Sequence, residues 1–418
     1  MKSLVVGGIV LLLAILGPQR FVHSRFDALW ALGVLILLAY ILQHGVRRLG
    51  LPGQAAWLAA GLLLGATGQQ LLRPDEVGTP QLVWSLAGVW VGFLVGVQLG
   101  WAGLPRRRAV TRVGLTTLCT FAAVALGVAL VGGVSWWVAL LLGSLASLWG
   151  PFTLLPGPGR RPLVSVGLIG VGFSLLLLAG VLLLLQAQGV VPAAGYVVVR
   201  LLLSAAVGAA SAEMLFRLGL FSVRASTLGA GLLAAFLALA LLVQQVPLFG
   251  LPCGFGVGAV LVLHGTPAKR VRRLLRPVAP AVYMAYFALM GAMMDLHVFA
   301  AAAPQLIPLL VVQAGLFLLV RWAGLALYSP LPLPDGASRW RVGWVLLPRA
   351  ALLFEVLLAP RAGLLHLLRG DTARLVQQAG TAEILLHLLV LSTVAQMVLR
   401  AYPATGEAVP RPAATSAA

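Results

Sequence analysis

The segment Ser144-Leu145-Ala146-Ser147-Leu148-Trp149-Gly150-Pro151-Phe152-Thr153 lies late in an apolar run that begins at Val134. A Gly-Pro pair in a helix of membrane length removes an amide donor and clashes with the preceding turn, so Gly150 and Pro151 predict a broken helix. Ser147 and Thr153 place small polar groups beside this break. Broken backbone at membrane depth is tolerated only where protein or a water-filled cavity surrounds it. The segment therefore predicts an enclosed site inside the membrane.

A second break is predicted far downstream, at Leu347-Pro348-Arg349 in another apolar run. If the predicted helix 190–216 is a linker, the helices on either side of it form two halves of six. Each break then falls in the fifth helix of its half, and the two halves have opposite orientations. Two interrupted helices at matching places of an inverted repeat are the best sequence indication of a transporter site.

The composition is that of a polytopic all-α membrane protein. Of the 418 residues, 61% are hydrophobic and 9% are charged, and the mean hydropathy is +1.03. Apolar runs of roughly 20 residues, the length that spans a bilayer, recur along the chain. The formal net charge is +19, but the basic residues lie in short loops. There they indicate membrane topology and contact with anionic lipid head groups, and not nucleic-acid binding.

Fourteen helices are predicted from the apolar runs. They span approximately 3–17, 27–46, 52–70, 80–101, 110–133, 134–155, 163–186, 190–216, 225–246, 249–266, 278–300, 304–328, 341–360 and 380–401. Residues 1–26 are expected to form an N-terminal anchor helix and loop, and residues 27–401 the transmembrane domain. The Pro- and Ala-rich residues 402–418 are typical of a disordered tail.

The distribution of positive charge predicts the orientation of the chain. With the N-terminus in the cytoplasm, the inside segments hold twenty of the 29 Lys and Arg residues, the outside segments hold six, and three lie within helices. An inside bias of this size supports the helix count and places both termini in the cytoplasm. The predicted outside loop from Arg361 to Gly380 fits least well, because it holds three arginines. The expected location is a cell membrane, of the bacterial inner-membrane type.

Several segments of the chain carry a family resemblance. They are Gly50–Gly65 (GLPGQAAWLAAGLLLG), Phe93–Leu99 (FLVGVQL), Tyr286–Leu296 (YFALMGAMMDL), Arg321-Trp322-Ala323-Gly324 and Pro348-Arg349-Ala350-Ala351. In this order and spacing the chain resembles the monovalent cation:proton antiporters of the Kef and Nap/Nha types, over roughly residues 27–400. The resemblance implies a dimerisation bundle, a core bundle with two crossing broken helices, a homodimer, and exchange of a monovalent cation for protons.

The chain departs from the family at the positions that bind the ion. The family carries an acidic pair, or Asn-Asp, on the helix after the first break, where this chain has Gly172 and Phe173. Gln98 and Ala351 also stand where the family motifs have Glu. A carboxylate replaces the hydration shell of a monovalent cation and is the group that a competing proton titrates. The motifs that imply the fold therefore favour an antiporter, whereas the residues at the ion-binding positions favour an atypical antiporter.

Two arginines are candidates for the site. Arg321 lies in the middle of an apolar helix, where a cation is costly and marks function by default. Arg349 directly follows the second break. Each has two interpretations, as a contact to the transported ion or solute, or as a structural charge that faces the carbonyl ends of the broken helices.

Three ionisable residues on the later helices complete the set of candidates. Glu355 is the only carboxylate on a broken helix, and it either titrates or pairs with a neighbouring arginine. Glu383 and His387 are spaced by four residues and should share a helix face, as a local pair or as a proton relay.

The sequence leaves three functions open. The leading one is a secondary transporter that exchanges monovalent cations for protons by movement of the core bundle. The second is a carrier of small anions or organic acids, with Arg321 and Arg349 as the positive site. The third is a transport-inactive membrane scaffold or sensor. No metal site, cofactor or enzymatic centre is expected, because the sequence shows neither a membrane-embedded metal-ligand set nor a Ser-His pair.

Overall fold

The computed structural model describes residues 25–48, 53–68, 79–97, 107–150, 161–189, 195–219, 225–275, 277–299, 306–327, 350–358, 363–368, 370–391 and 394. Within these ranges the chain is helical and contains no strand, which confirms the all-α prediction. The predicted anchor helix at 3–17 and the predicted tail lie outside the described residues.

The helices of the first half and the linker have the following bounds. They are α1 (Arg25–Arg48), α2 (Gly53–Leu64), α3 (Thr79–Gly96), α4 (Arg107–Val131), α5 (Trp136–Ser147), α6 (Arg161–Ala187) and α7 (Gly195–Arg217).

The second half continues in the same manner. It contains α8 (Ala225–Gln245), α9 (Gly250–Leu263), α10 (Thr266–Leu275), α11 (Ala279–Met293), α12 (Leu306–Leu327), α13 (Ala350–Leu358) and α14 (Gly370–Leu385), with 3-10 turns at Leu296–Phe299 and Leu364–Leu367 and a π-helical segment at Leu386–Leu391.

Six of the described helices are long and apolar enough to cross a membrane. They include Trp30–Arg48, Val110–Val131, Val166–Ala187, Gly195–Arg217, Thr227–Gln245 and Leu306–Gly324. Large apolar side chains such as Leu130 and Leu176 are exposed on these helices, whereas the faces that meet other helices are buried. Exposed apolar surface of this extent belongs in lipid, so the chain is a membrane protein.

Helix α5 stops where the sequence predicts an interruption. Its last residue is Ser147, three residues before Gly150, and Leu148 adopts an extended conformation with φ −53° and ψ 143°. Pro151 and Thr153 lie outside the described residues, as do Pro348 and Arg349 at the second predicted break. Helix α13 begins directly after that second position, at Ala350.

Several predicted boundaries are wrong, and three of them concern whole turns or elements. Helix α11 ends at Met293 and not near residue 300, because the chain turns into the 3-10 segment Leu296–Phe299. The basic stretch Thr266–Leu275, read as a loop, is a helix that buries Val271 and Leu275. Helix α14 starts at Gly370, ten residues before the predicted start, with Asp371 in its first turn.

The helices form two bundles. In the first bundle, α3 packs against α9, α2 against α11, and α1, α7 and α8 lie beside them. In the second bundle, α4 packs against α5, α6 and α12, and α14 packs against α12 and α13. The second bundle therefore holds the interrupted helix α5 and the segment α13, as the core bundle implied by the resemblance should.

The pairing of helices within the first bundle shows the inverted repeat. The second helix of the first half, α2, packs against α11, which is the third membrane helix of the second half. The converse pair, α3 with α9, joins the third helix of the first half to the second helix of the second half. In the second bundle the two fourth helices, α4 and α12, pack against each other. Exchange of roles between equivalent helices is what a two-fold relation between the halves requires.

Close backbone contact holds α3 against α9. A side chain at Gly92 of α3 would overlap the carbonyl oxygen of Leu251, and one at Gly254 of α9 would overlap the carbonyl oxygen of Val89. Small residues at four-residue spacing allow such an approach, which strengthens packing between membrane helices where the hydrophobic effect contributes little.

We expect Gly92→Ala to destabilise the protein, because the added methyl group must push α9 away from α3. The expected cost is about 1–3 kcal/mol, the usual cost of overpacking. Gly180→Ala on α6 is the control, because nothing lies within 4 Å of a side chain there. Thermal unfolding of both variants in detergent measures the difference. Equal stability of the two variants would contradict the packing described for α3 and α9.

Candidate functional site

The interruption of α5 leaves backbone carbonyl groups without intrahelical partners inside the second bundle. A helix C-terminus leaves its last carbonyls without intrahelical partners and carries partial negative charge. Here the Ser147 carbonyl oxygen accepts a hydrogen bond of 2.8 Å from the Ser174 hydroxyl on α6. Ser147 itself is fully buried, and its own hydroxyl donates back to the Ser144 carbonyl. The α5 terminus is therefore a buried acceptor site.

Arg321 of α12 lies at this acceptor site. Its side chain is 1% exposed, and Nη1 donates to the Leu148 carbonyl at 2.6 Å and, at a longer 3.4 Å, to the Ser147 carbonyl. The guanidinium carbon lies 4.1 Å from the ring centroid of Trp149 and 5.3 Å from that of Phe317. Carbonyl oxygens and aromatic faces both stabilise a desolvated cation. These contacts favour the structural interpretation of Arg321 over contact with a transported anion.

Trp149 closes the site from the side of α6. Its indole Nε1 donates to the Thr117 hydroxyl of α4 at 2.9 Å. The indole ring occupies the space that any side chain at Gly170 of α6 would need. The interrupted segment of α5 is thereby fixed to α4, to α6 and, through Arg321, to α12.

At the positions where the resemblance would place an acidic pair, this chain has Gly172 and Phe173, which carry no polar side chain. Gly172 is exposed, and nothing lies within 4 Å of a side chain at that position. The Phe173 ring packs against Gly114 of α4. Since α6 contains no acidic residue, this helix supplies no carboxylate for a cation.

Glu355 of α13 is a buried carboxyl at the boundary between the two bundles. It is 1% exposed, and the Tyr286 hydroxyl of α11 donates to its Oε1 in a long hydrogen bond of 3.4 Å. A methyl group at Gly88 of α3 would come within 3.1 Å of the same oxygen. Glu355 thus belongs to the second bundle by its helix and contacts the first bundle by its side chain.

Aromatic packing fixes the partner of Glu355. The Tyr286 ring stacks on Trp84 of α3 with ring centroids 4.5 Å apart, and Trp84 also contacts Phe354. Among the residues that the structure describes, Glu355 forms no ion pair. The predicted alternative partner, Arg349, lies outside the described residues.

The structure brings together some of the predicted site residues. Arg321 meets the carbonyl of Ser147, while Glu355 lies at the bundle boundary, bonded to Tyr286. Gln98, Thr153, Pro151, Pro348 and Arg349 lie outside the described residues. No group of three His, Cys, Asp or Glu residues in the described ranges is arranged to hold a metal ion.

Sequence reasoning missed two residues that shape the site. Trp149 stood within the segment that predicted the break but was not singled out, and Tyr286 opened a recognised motif without a role. An aromatic residue beside a break, and a Tyr in an apolar helix that needs a hydrogen-bond partner, were the available signals.

The fold and the site define a class of protein: a helical membrane protein of two inverted halves with an interrupted helix in one bundle. The chain is similar to the structure of the sodium proton antiporter MjNhaP1 from Methanocaldococcus jannaschii at pH 8, with a TM-score of 0.55 and 16% identity over 90% of this chain and 99% of that one. An electron-microscopy structure of the same antiporter gives a TM-score of 0.58 and 17% sequence identity, over 92% of this chain and 100% of that one.

These similarities confirm the antiporter fold and support the resemblance seen in the sequence. At such low identity they show the fold alone. No protein-family model and no curated protein matches the chain.

We expect Arg321→Met to lower the stability of the protein. The Leu148 carbonyl would lose its charged donor inside the bundle, at a cost of roughly 1–3 kcal/mol. Arg321→Lys keeps the charge but loses the planar stack on Trp149. Its stability should therefore be intermediate between those of Arg321→Met and the native protein. Thermal unfolding in lipid nanodiscs measures all three proteins.

Arg217→Met is the matched control for this series. Arg217 pairs with Glu213 at 3.0 Å but its side chain is 78% exposed, so its loss should change stability by less than about 1 kcal/mol. An Arg321→Met protein as stable as Arg217→Met would show that the α5 terminus does not depend on the guanidinium.

Proposed function

We propose that the protein is a secondary transporter that exchanges a monovalent cation for protons, and that Glu355 is the group for which the two compete. The observation that carries the proposal is the position of this carboxyl. It is buried at the boundary between the bundles, on the segment that follows the second predicted break, and the described residues offer it no cation. The antiporter fold supports the same function.

Burial explains why proton and cation would exclude each other at Glu355. An ionised carboxylate removed from water is costly unless a positive partner neutralises it. A bound proton or a bound monovalent cation each supplies one positive charge to the same oxygens. The Tyr286 hydroxyl donates to the ionised form, so it holds the carboxylate in place while the cation arrives.

The placement of Glu355 also couples its charge to movement of the bundles. The carboxyl is carried by α13 of the second bundle, whereas Tyr286 and Gly88 belong to the first. A shift of one bundle against the other would separate these groups. We infer that a neutralised carboxyl passes this boundary at lower cost than an ionised one, so occupancy by proton or cation is required before the movement.

We predict that Glu355→Gln abolishes cation:proton exchange, because the amide carries no charge to neutralise. Tyr286→Phe should retain exchange, and its half-saturating cation concentration should rise by about tenfold through loss of one hydrogen bond to a charged group. The measurement is dissipation of a pH gradient in proteoliposomes on addition of sodium or potassium.

Asp371→Asn serves as the control for the loss of one carboxylate, because Asp371 is exposed in the first turn of α14. It should exchange at the native rate. Robust sodium- or potassium-driven proton movement by the Glu355→Gln protein would contradict the assignment.

A transport-inactive scaffold is the second candidate, and one observation favours it. The indole of Trp149 and the guanidinium of Arg321 fill the α5 terminus with the protein's own groups. The same contacts count against the anion carrier, since they engage Arg321 with carbonyl oxygens. The scaffold function is favoured if the native protein transports neither sodium, nor potassium, nor small organic anions under any gradient.

The orientation in a bacterial-type inner membrane stays a prediction, and cysteine labelling tests it. Cys119 and Cys253 are first replaced, because Cys119 is exposed. Single cysteines at Arg107 and Arg272 should then react with a membrane-impermeant reagent only from the cytoplasmic side. Labelling from the outside would reverse the proposed topology. The homodimer implied by the resemblance likewise stays a prediction.

A further inference from the structure

The second bundle contains a further buried polar cluster, which contacts the Arg321 site through Phe317. Gln313 of α12 is 1% exposed and Glu383 of α14 is 4% exposed, and Nε2 of Gln313 donates to Oε1 of Glu383 at 2.6 Å. His387 follows one turn later, is fully buried, and lies edge-on to Phe317 with ring centroids 4.9 Å apart. We call these residues, Gln313, Glu383 and His387, the α14 cluster.

We propose that the α14 cluster is a proton-binding site of the second bundle, in which Glu383 carries the proton and His387 passes it between Glu383 and the boundary of the bundles. The proposal does not rest on exchange at Glu355, because a proton site in this bundle requires no particular transported ion.

The partner of Glu383 permits both of its charge states. An amide side chain offers a donor at one end and an acceptor at the other, so it can donate to a carboxylate or, after a half-turn, accept from a carboxylic acid. An arginine or lysine in its place would hold the carboxyl ionised. Gln313 therefore suits a carboxyl that gains and loses a proton.

One atom of the cluster still requires a donor. The Oε1 atom of Gln313 is buried and has no hydrogen-bond partner among the described residues. A buried acceptor that is left unsatisfied destabilises the protein. A donor that enters the cluster, such as a protonated carboxyl or a hydronium ion, would meet this demand.

The backbone around His387 is also unusual. Residues Leu386–Leu391 form a π-helical segment, a rare conformation that is frequent at functional sites. The segment packs against α2 of the first bundle. Imidazole is the side chain best suited to accept and release protons near neutral pH. The segment that carries His387 thus follows the helix of Glu383 and reaches the boundary of the bundles.

The charged neighbours of the cluster assign the proton to Glu383. Phe317 contacts both the His387 ring and the Arg321 guanidinium, so a lasting positive charge on His387 would face Arg321 across one aromatic ring. The other ionisable groups on elements packed against α14 are Glu355 on α13, Asp295 and His297 at the 3-10 turn Leu296–Phe299, and His366 on the 3-10 turn Leu364–Leu367. Asp371 and Arg374 lie on α14 itself, and the described parts of α2 and α5 contain no ionisable side chain.

Infrared difference spectroscopy across a pH titration of the purified protein in lipid tests the proposal. A protonated carboxylic acid in an apolar site has its own carbonyl stretch. We expect one such band in the native protein to be lost in Glu383→Gln and to remain in Glu355→Gln and Asp371→Asn. Gln313→Leu should shift the band, because the carboxyl loses its hydrogen-bond partner.

Two further variants keep the test decisive. Glu383→Asp preserves a carboxyl if Glu383→Gln fails to fold, and it should retain the band at a shifted frequency. His387→Phe should retain the band but slow the hydrogen–deuterium exchange of the acid that gives rise to it. Identical difference spectra for the native and Glu383→Gln proteins would overturn the proposal, whatever the transport assay shows.

Discussion

The contact between Arg321 and the end of α5 is the interaction on which the second bundle depends. A helix that stops inside a membrane leaves carbonyl oxygens that neither water nor lipid can satisfy. In this protein the guanidinium donates to the Leu148 and Ser147 carbonyls, and Trp149 lies beneath it. The Ser174 hydroxyl also donates to the Ser147 carbonyl, and the Thr117 hydroxyl accepts a hydrogen bond from the Trp149 indole. The break is therefore stabilised by internal groups from three other helices.

This arrangement separates positive and negative charge within the fold. Arg321 is committed to the α5 terminus, whereas Glu355 meets Tyr286 at the boundary with the first bundle. Because α6 contains no carboxylate, we assign the binding of protons and cations to the two deep carboxyls of the second half, Glu355 and Glu383. Both are buried, and both are bonded to a neutral side chain, a Tyr hydroxyl in one case and a Gln amide in the other. A neutral partner of this kind does not by itself hold a carboxyl in its ionised form.

Much of the fold could be predicted from the sequence because long apolar runs mark most of the membrane helices. The end of α5 near Gly150 and the long helices α6 and α12 follow from local patterns alone. The start of α14 at Gly370 could not be predicted in this way. Its first turns, which include Asp371, are polar and have the composition of a loop. The Gly-Leu-Pro sequence that recurs at residues 50–52 and 250–252 was an unused signal of the inverted repeat.

The candidate site was predictable only in part. The burial of Arg321, Glu355 and Glu383 follows from their places in apolar runs. Their partners do not, because the hydrogen bonds that join Ser147, Tyr286 and Gln313 to these residues span 69 to 174 positions of the chain. Which helix faces which is set by close packing of the bundles, as between α3 and α9, and one-dimensional patterns contain no record of it.

The most direct test of the central claim is whether cation binding displaces a proton from the purified protein. In weakly buffered solution with a pH indicator, addition of sodium or potassium to the native protein should acidify the medium, and the release should fall as the starting pH is lowered enough to keep the carboxyl protonated. The Glu355→Gln protein should release none. Cation binding without proton release in the native protein, or equal release from the Glu355→Gln protein, would contradict competition at Glu355.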